Sequence, residues 1–171
     1  MVGYRYSTKV GENMAKAVSQ SLPISTKIST QVCRFVKGLP VAKAKQALQD
    51  VMALKRAVPM FRYYKETAHK PNMAVGRYPI KACTQVLKVI ESAEANAQFK
   101  GLSTGDLVIH HAAAQQGPTT MGQGRTGGHA RRTHVEIVLA AVKQTKKSES
   151  KKPEQKKDSK TCCLMSSAGT R

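Results

Sequence analysis

The sequence predicts an α+β domain. Three segments between residues 25 and 99 repeat apolar residues at helical spacing, and two strand-like runs, 107–109 and 135–139, come after them. With 171 residues, 40% of them apolar, the chain has the length and material for one domain of ordinary size with its own core.

Residues 1–16 are polar and irregular and read as an extended N-terminal segment. Residues 17–24 read as a strand with Val18, Leu22 and Ile24 on one face, an alternation interrupted at Gln20. After Pro23, Ser25 or Thr26 supplies a helix N-cap, and Ile28, Val32, Phe35 and Val36 follow the i, i+4, i+7, i+8 spacing of a buried face. Gly38 ends that helix. At about 100° per residue, Lys27 and Arg34 fall together on the opposite side, with Lys37 one turn further along.

Pro40 suits the first turn of a second helix, whose inner stripe is Val41, Ala44, Leu48 and Val51 and whose outer side carries Lys43, Lys45 and Lys55. Val58-Pro59 stops it. Residues 60–75 form a loop in which Phe61, Tyr63 and Tyr64 are interleaved with Arg62, Lys65, His69 and Lys70. Such a composition suits stacking on bases and contacting phosphates, or equally the anchoring of Phe61 and one tyrosine to the core. A third helix spans 79–99, with Ile80, Cys83, Leu87 and Ile90 on its buried line. Its second half, Ala93-Glu94-Ala95-Asn96-Ala97, is small enough to let another element approach closely, and Gly101 terminates it.

Between the two strand runs lie twenty-five residues, 110–134, with five glycines, three arginines, four histidines and no acid. Ordinary hairpin connections use roughly two to five residues. Met121 and a few alanines are the only apolar material there, too little to offset ordering a backbone at roughly 1 to 2 kcal/mol per residue. The segment is either a disordered loop or an arm ordered by a partner that accepts positive charge.

The formal charge is +19. Residues 143–160 hold eight lysines against Glu149, Glu154 and Asp158, a net of +5, while residues 1–142 hold twenty basic and seven acidic residues, a net of +13. The body itself is thus basic, with no acid from 13 to 49 or from 107 to 135. A domain that repels itself to this extent implies a polyanionic partner, of which nucleic acid is the commonest. Residues 143–171 hold too few apolar side chains among their lysines, serines and glutamines to fold.

Several function classes are disfavoured. No stretch approaches the roughly eighteen apolar residues of a membrane helix and no signal-peptide core is present, so a soluble, intracellular chain with no membrane partner is expected. Cys33, Cys83, Cys162 and Cys163 lack paired C-x-x-C spacing, and Cys33 and Cys83 read as small core residues. No phosphate loop, carboxylate pair or magnesium site can be nominated. His110 and His111 are strand neighbours and point to opposite faces. No cofactor, no metal and no catalytic residue is expected, and a histidine-dependent nuclease is the most distant alternative.

Gly38-Leu39-Pro40 followed by 44–51, Val58-Pro59-Met60-Phe61-Arg62, Gly76-Arg77-Tyr78-Pro79, the 93–97 run leading into Lys100-Gly101-Leu102, and Thr133-His134-Val135-Glu136-Ile137 occur in a telling order and spacing. Over about 21–139 the chain resembles the large-subunit ribosomal protein family called L-twenty-two in bacteria and L-seventeen in archaea and eukaryotes. The insertion at 63–75 and the lysine-rich C-terminal extension are similar to the archaeal and eukaryotic branch. The resemblance implies three helices packed on a small antiparallel sheet with a long protruding β-hairpin, plus disordered or extended basic termini. The segments would be 1–16, a globular domain 17–142 including the hairpin 107–139, and the extension 143–171.

The resemblance further implies a structural constituent of the cytosolic large ribosomal subunit, assembled in the nucleolus if the source is eukaryotic. Its partners would be large-subunit rRNA, neighbouring ribosomal proteins and the nascent polypeptide, with no homo-oligomer. The rRNA contacts would come from Lys27, Arg34, Lys37, Lys55, Arg56, Arg62, Tyr64, Arg77, Lys81, Arg125, Arg131 and Arg132. The hairpin tip, Gly122, Gln123, Gly124, Arg125, Thr126, Gly127 and Gly128, would line the polypeptide exit tunnel. A leg of ten residues at about 3.3 Å each would reach roughly 30 Å. Family arms are rich in arginine, whereas this one has Ala112-Ala113-Ala114-Gln115-Gln116 and Met121-Gly122-Gln123-Gly124. A free-standing RNA-binding or RNA-chaperone protein using the same surface is the alternative.

Overall fold

The last of the described strands lies at the centre of its sheet. The computed structural model describes residues 4–125 and 127–141. Its elements are β1 (Met14–Leu22), α1 (Thr26–Val36), α2 (Val41–Met52), β2 (Val58–Pro59), β3 (Gly76–Arg77), α3 (Ile80–Phe99), β4 (Leu107–Gln116), β5 (Thr120–Met121), β6 (His129–Ala130) and β7 (Thr133–Ala141). The main sheet has the order β1-β7-β4, antiparallel throughout. On one face α3 lies against β1 and α1 against β4, with α2 packed on α3. This is the expected α+β arrangement of three helices on a small antiparallel sheet, with a hairpin projecting from it.

Leu48, Ile90, Leu107, Ile109, Ile137 and Leu139 form the centre of the core and are fully buried. Each such side chain contributes about 1.5–3 kcal/mol relative to an exposed one. In α2 the inner stripe of Val41, Ala44, Leu48 and Val51 is buried as its spacing predicts, and Cys33 and Cys83 are core residues. Burial pushes both thiols up to about 12, so they remain neutral and inert.

Three elements differ from the sequence expectation. The strand expected over 17–24 runs over Met14–Leu22, and its buried residues are Ala15 and Ala17, while Val18 is only partly covered. Between Ser19 and Leu22, two residues of β1, Gln20 and Ser21, oppose the single residue His134 of β7, and Ser21 has φ 54. Such a bulge shifts the pleat by one residue, so odd positions face the core before it and Ile24 does so after it. Alanine is the required size there because α3 crosses closely. Its Ala93 and Ala97 are buried, Asn96 Nδ2 donates to Lys16 O at 2.9 Å, and Lys100 Nζ donates to Met14 O at 2.7 Å.

In α3 the buried line is Ala82, Cys83, Val86, Val89, Ile90, Ala93 and Ala97, whereas Ile80 is 46% exposed and Leu87 only partly buried. The helix is rotated so that its valines, alanines and Ile90 meet the core, while Ile80 and Leu87 lie at its margin. Lys45, expected outside α2, is drawn into an ion pair with Glu94 of α3.

The third difference sets the hairpin. β4 continues to Gln116, paired to Thr133, so residues 110–116 belong to the main sheet and the free arm is 117–132. A second bulge places His110 between Ile109 and His111 in the ladder, after which Ala112 takes the core-facing position. The outer edge of β4 is covered: Gly38 N donates to Ile109 O at 2.8 Å, and Ile109 N to Leu39 O at 3.0 Å.

The sheet's second face is closed by the N-terminal segment. Glu136 and Val138 point that way and are fully buried. The Tyr4 hydroxyl donates to Glu136 Oε2 at 3.2 Å, Ser7 N donates to the same oxygen at 3.3 Å, and the Ser7 hydroxyl donates to Oε1. Residues 142–171, including the lysine-rich extension, lie outside the described residues. Among the described residues no helix is long and apolar enough to cross a membrane.

Candidate nucleic-acid interface

The outer side of α1 presents Lys27, Arg34 and Lys37 to solvent, and the 60–75 loop folds back onto that side. The loop is held at its base by the two-residue β2–β3 ladder and by Met60, which is buried and whose N–H donates to Val75 O at 3.1 Å. Phe61 N donates to Oε1 of the buried Gln31 of α1 at 3.2 Å. These contacts lay the loop's aromatic residues beside the helix's cations.

The Arg34 guanidinium lies 4.8 Å from the Phe61 ring, and Lys27 Nζ and the Arg62 guanidinium lie 5.6 and 5.4 Å from the Tyr63 ring. Within the loop region Arg77 sits 5.1 Å from Tyr64 and Lys70 Nζ 5.4 Å from Tyr78, while Arg56 sits 5.0 Å from Phe35 of α1. Each exposed contact of this type is worth about 0.5–1 kcal/mol, enough to fix a rotamer without neutralising its charge. Phe61 remains 56% exposed and Tyr64 40% exposed, so ring surface and charge are offered together. Of the loop's residues it is Met60, not Phe61 or a tyrosine, that joins the core, and Phe61 and Tyr64 stay at the surface.

Where α1, the loop and the base of the hairpin meet there is a cleft of ≈ 530 Å³. Lys27, Arg62 and Arg131 line it from three different elements, together with Tyr63, Thr30 and Gln116, and no acid lines it. No side chain caps α1 at Ser25 and its first turn holds no acid, which leaves the positive end of the helix beside the cleft unneutralised.

Beyond Gln116 and Thr133 the hairpin continues as a broken ladder. Gly117 N donates to Arg132 O at 2.8 Å, β5 pairs with β6, and Gly122 N donates to Gly128 O at 2.7 Å. Eight residues on one leg, 117–124, extend about 25 Å. Gly124 has φ +90, and a Cβ on Gly127 would stand 2.9 Å from Gly122 O, so glycine is required at both positions of the turn. Thr126 lies outside the described residues.

The other polar cluster differs in kind. His111 Nε2 lies 2.8 Å from Ser7 Oγ and 3.1 Å from Glu136 Oε1, which is a serine, a histidine and an acid in contact. A hydrolytic relay needs the serine on one ring nitrogen and the acid on the other, whereas here both meet Nε2. The cluster serves packing: burial pushes the Glu136 carboxyl up, but hydrogen bonds from Ser7, His111 and Tyr4 outweigh it and hold the carboxyl below its usual range. No group of three or more metal-ligating side chains occurs among the described residues.

The sequence model of the family described as ribosomal protein L22p/L17e matches residues 17–140. The chain belongs to this family. Within it, the chain is 38% identical over 148 residues to large ribosomal subunit protein uL22 of Methanoculleus marisnigri, covering 80% of this chain and 96% of that one. The uL22 of Archaeoglobus fulgidus is 42% identical over 119 residues, 68% of this chain and 77% of its own. That of Ignicoccus hospitalis is 36% identical over 159 residues, 83% and 99% respectively. The L22p/L17e proteins are ribosomal structural proteins, not an enzyme family.

On this L22p/L17e framework the candidate contacts are not one cluster. Lys27, Arg62 and Arg131 share the cleft, whereas Arg34, set against Phe61, and Arg77, set against Tyr64, are not part of its lining. Lys55 and Arg56 follow α2, with Arg56 tied back to α1 through Phe35. Lys81 borders a separate apolar groove with Pro23, Ile24 and Ile80, and Arg125 stands at the hairpin tip. Sequence reasoning named Tyr63 only as part of the cation-aromatic loop, and did not place Thr30 and Gln116 beside these cations. Tyr63 carries a signal, since it sits inside the cation-aromatic run, but the convergence of Thr30 and Gln116 is set by tertiary structure alone.

Proposed function

We propose that this chain is a non-catalytic structural constituent of the large ribosomal subunit. It binds large-subunit rRNA by neutralising phosphates and fitting its shape, and it extends its hairpin tip towards the wall of the polypeptide exit tunnel. The observation that carries this is the acid-free cleft where cations from α1, the loop and the hairpin base converge, on a chain whose family is ribosomal. Arginines there suit phosphate forks and base stacking, lysines act as point charges, and sequence is read weakly. The arm, 117–132, holds only Arg125, Arg131 and Arg132 as permanent charges and fits its site by slenderness more than by charge. Neighbouring ribosomal proteins and the nascent chain are its remaining partners, one copy serving each subunit. The relatives above are archaeal and give no argument for a nucleolar stage of assembly.

If about eight phosphates are contacted, the slope of log affinity against log salt on large-subunit rRNA is about −6 to −7. A slope shallower than about −2 would sink the electrostatic account. Co-sedimentation with large subunits in high salt separates a subunit constituent from a free-standing RNA chaperone, which would wash off.

A further inference from the structure

We infer that the cleft between α1, the loop and the hairpin base is a seat for one nucleotide unstacked from an RNA chain. This rests on the RNA-binding reading above and names what that surface takes. A seat for a bare phosphate needs little room. The cleft's ≈ 530 Å³ falls inside the roughly 300–1,000 Å³ of small-ligand sites.

Its lining matches the parts of a nucleotide in separate places. Lys27, Arg62 and Arg131 come from a helix, a loop and a hairpin leg, so they surround the opening and can meet the phosphates on both sides of one residue. A base can stack on the Tyr63 ring in place of Lys27 or Arg62, releasing that cation to a phosphate, and such stacking tolerates any base. Gln116 brings both a donor and an acceptor. The Thr30 hydroxyl already donates to Thr26 O at 2.7 Å, which leaves its lone pairs to accept from a base edge or a ribose 2′-hydroxyl. With no carboxylate in the lining, nothing repels the phosphates. A paired RNA helix shows only its backbone to such a recess, whereas a bulged residue can enter it.

The test uses the full chain and three RNA hairpins of one sequence: fully paired, with a single bulged uridine, and with the bulged position abasic. The bulged RNA is expected to bind about tenfold tighter than the paired one, and the abasic RNA to lose most of that gain. Tyr63→Ala and, independently, Gln116→Ala should each erase the preference for the bulged RNA over the paired one. Arg34→Ala should lower all three affinities alike. Equal binding of the three RNAs with the steep salt slope retained overturns the seat and leaves the interface standing. Weak binding of all three with a shallow slope fails the interface itself. Uridine monophosphate competing at micromolar concentration, as strongly as the bulged RNA, would assign the cleft to a free nucleotide and overturn the RNA-embedded form. The abasic comparison needs no variant, so a folding defect in either mutant does not spare the proposal.

Discussion

Replacing Ser7 by alanine tests how the buried carboxylate of Glu136 is maintained. Glu136 has no exposed surface, and its oxygens accept from the Ser7 hydroxyl, from Ser7 N at 3.3 Å and from the Tyr4 hydroxyl at 3.2 Å, with His111 Nε2 at 3.1 Å. Ser7→Ala removes the hydroxyl alone and leaves the other three contacts. Losing a hydrogen bond to a charged group costs about 1.5–3 kcal/mol, and the serine's position at the surface sets the lower end, about 1.5 kcal/mol. For a domain of this size that lowers Tm by roughly 5 °C. The pH dependence has a definite sign. The folded carboxyl lies below its ordinary value, so its contribution is complete above the unfolded value of about 4.3 and is lost as pH falls through the folded value. Urea unfolding of both proteins at pH 7, then in steps towards pH 3, measures this. A cost under about 0.5 kcal/mol at pH 7, or one that stays constant as the carboxylate is protonated, refutes the reasoning.

Replacing 117–132 by an Asn-Gly turn should leave a body that unfolds cooperatively near the parent Tm, because Gln116 and Thr133 are the last pair of the main ladder; calorimetry showing no cooperative transition would mean the arm is part of the core. Gly76→Ala should cost about 1–3 kcal/mol in urea unfolding, since the added Cβ would stand 2.6 Å from Met73 Sδ and 3.0 Å from Ala57 Cβ. Arg34→Ala should make the salt slope of rRNA binding shallower by about 1, measured by filter binding across salt; an unchanged slope would show that Arg34 is occupied by Phe61 alone.

The helices were legible where large apolar side chains mark the inner face. Val41, Leu48 and Val51 needed no context, because leaving them exposed costs more than any competing arrangement. Strand β1 was misread because its core-facing residues are alanines and its pleat slips at Ser21, so no single alternation runs through it. The alanines at 112–114 concealed the outer half of β4 for the same reason: they are weak strand formers that pair only because β7 lies beside them. Glu136 shows a third limit. On a two-faced strand a charged residue reads as solvent-facing, and nothing near it in sequence announces that Tyr4 and Ser7 cover it. The cations of the interface were readable one by one, whereas their aromatic partners, such as Phe61 for Arg34 and Tyr63 for Lys27, were set by the loop's return to α1.

The placement of β7 between β1 and β4 governs the order in which the molecule can be made. While the chain grows, β1 and β4 have no partner in the sheet, because the strand that pairs with both is the last of the described elements to be synthesised. Closing β1 onto β7 joins residues more than a hundred positions apart, a contact that costs loop entropy and slows folding. Until β7 is added, α1 and α3 lack the assembled sheet that they cover. A chain that stops before Thr133 consequently loses both ladders at once. It has no smaller version of the sheet to fall back on, because β1 and β4 share no ladder with each other.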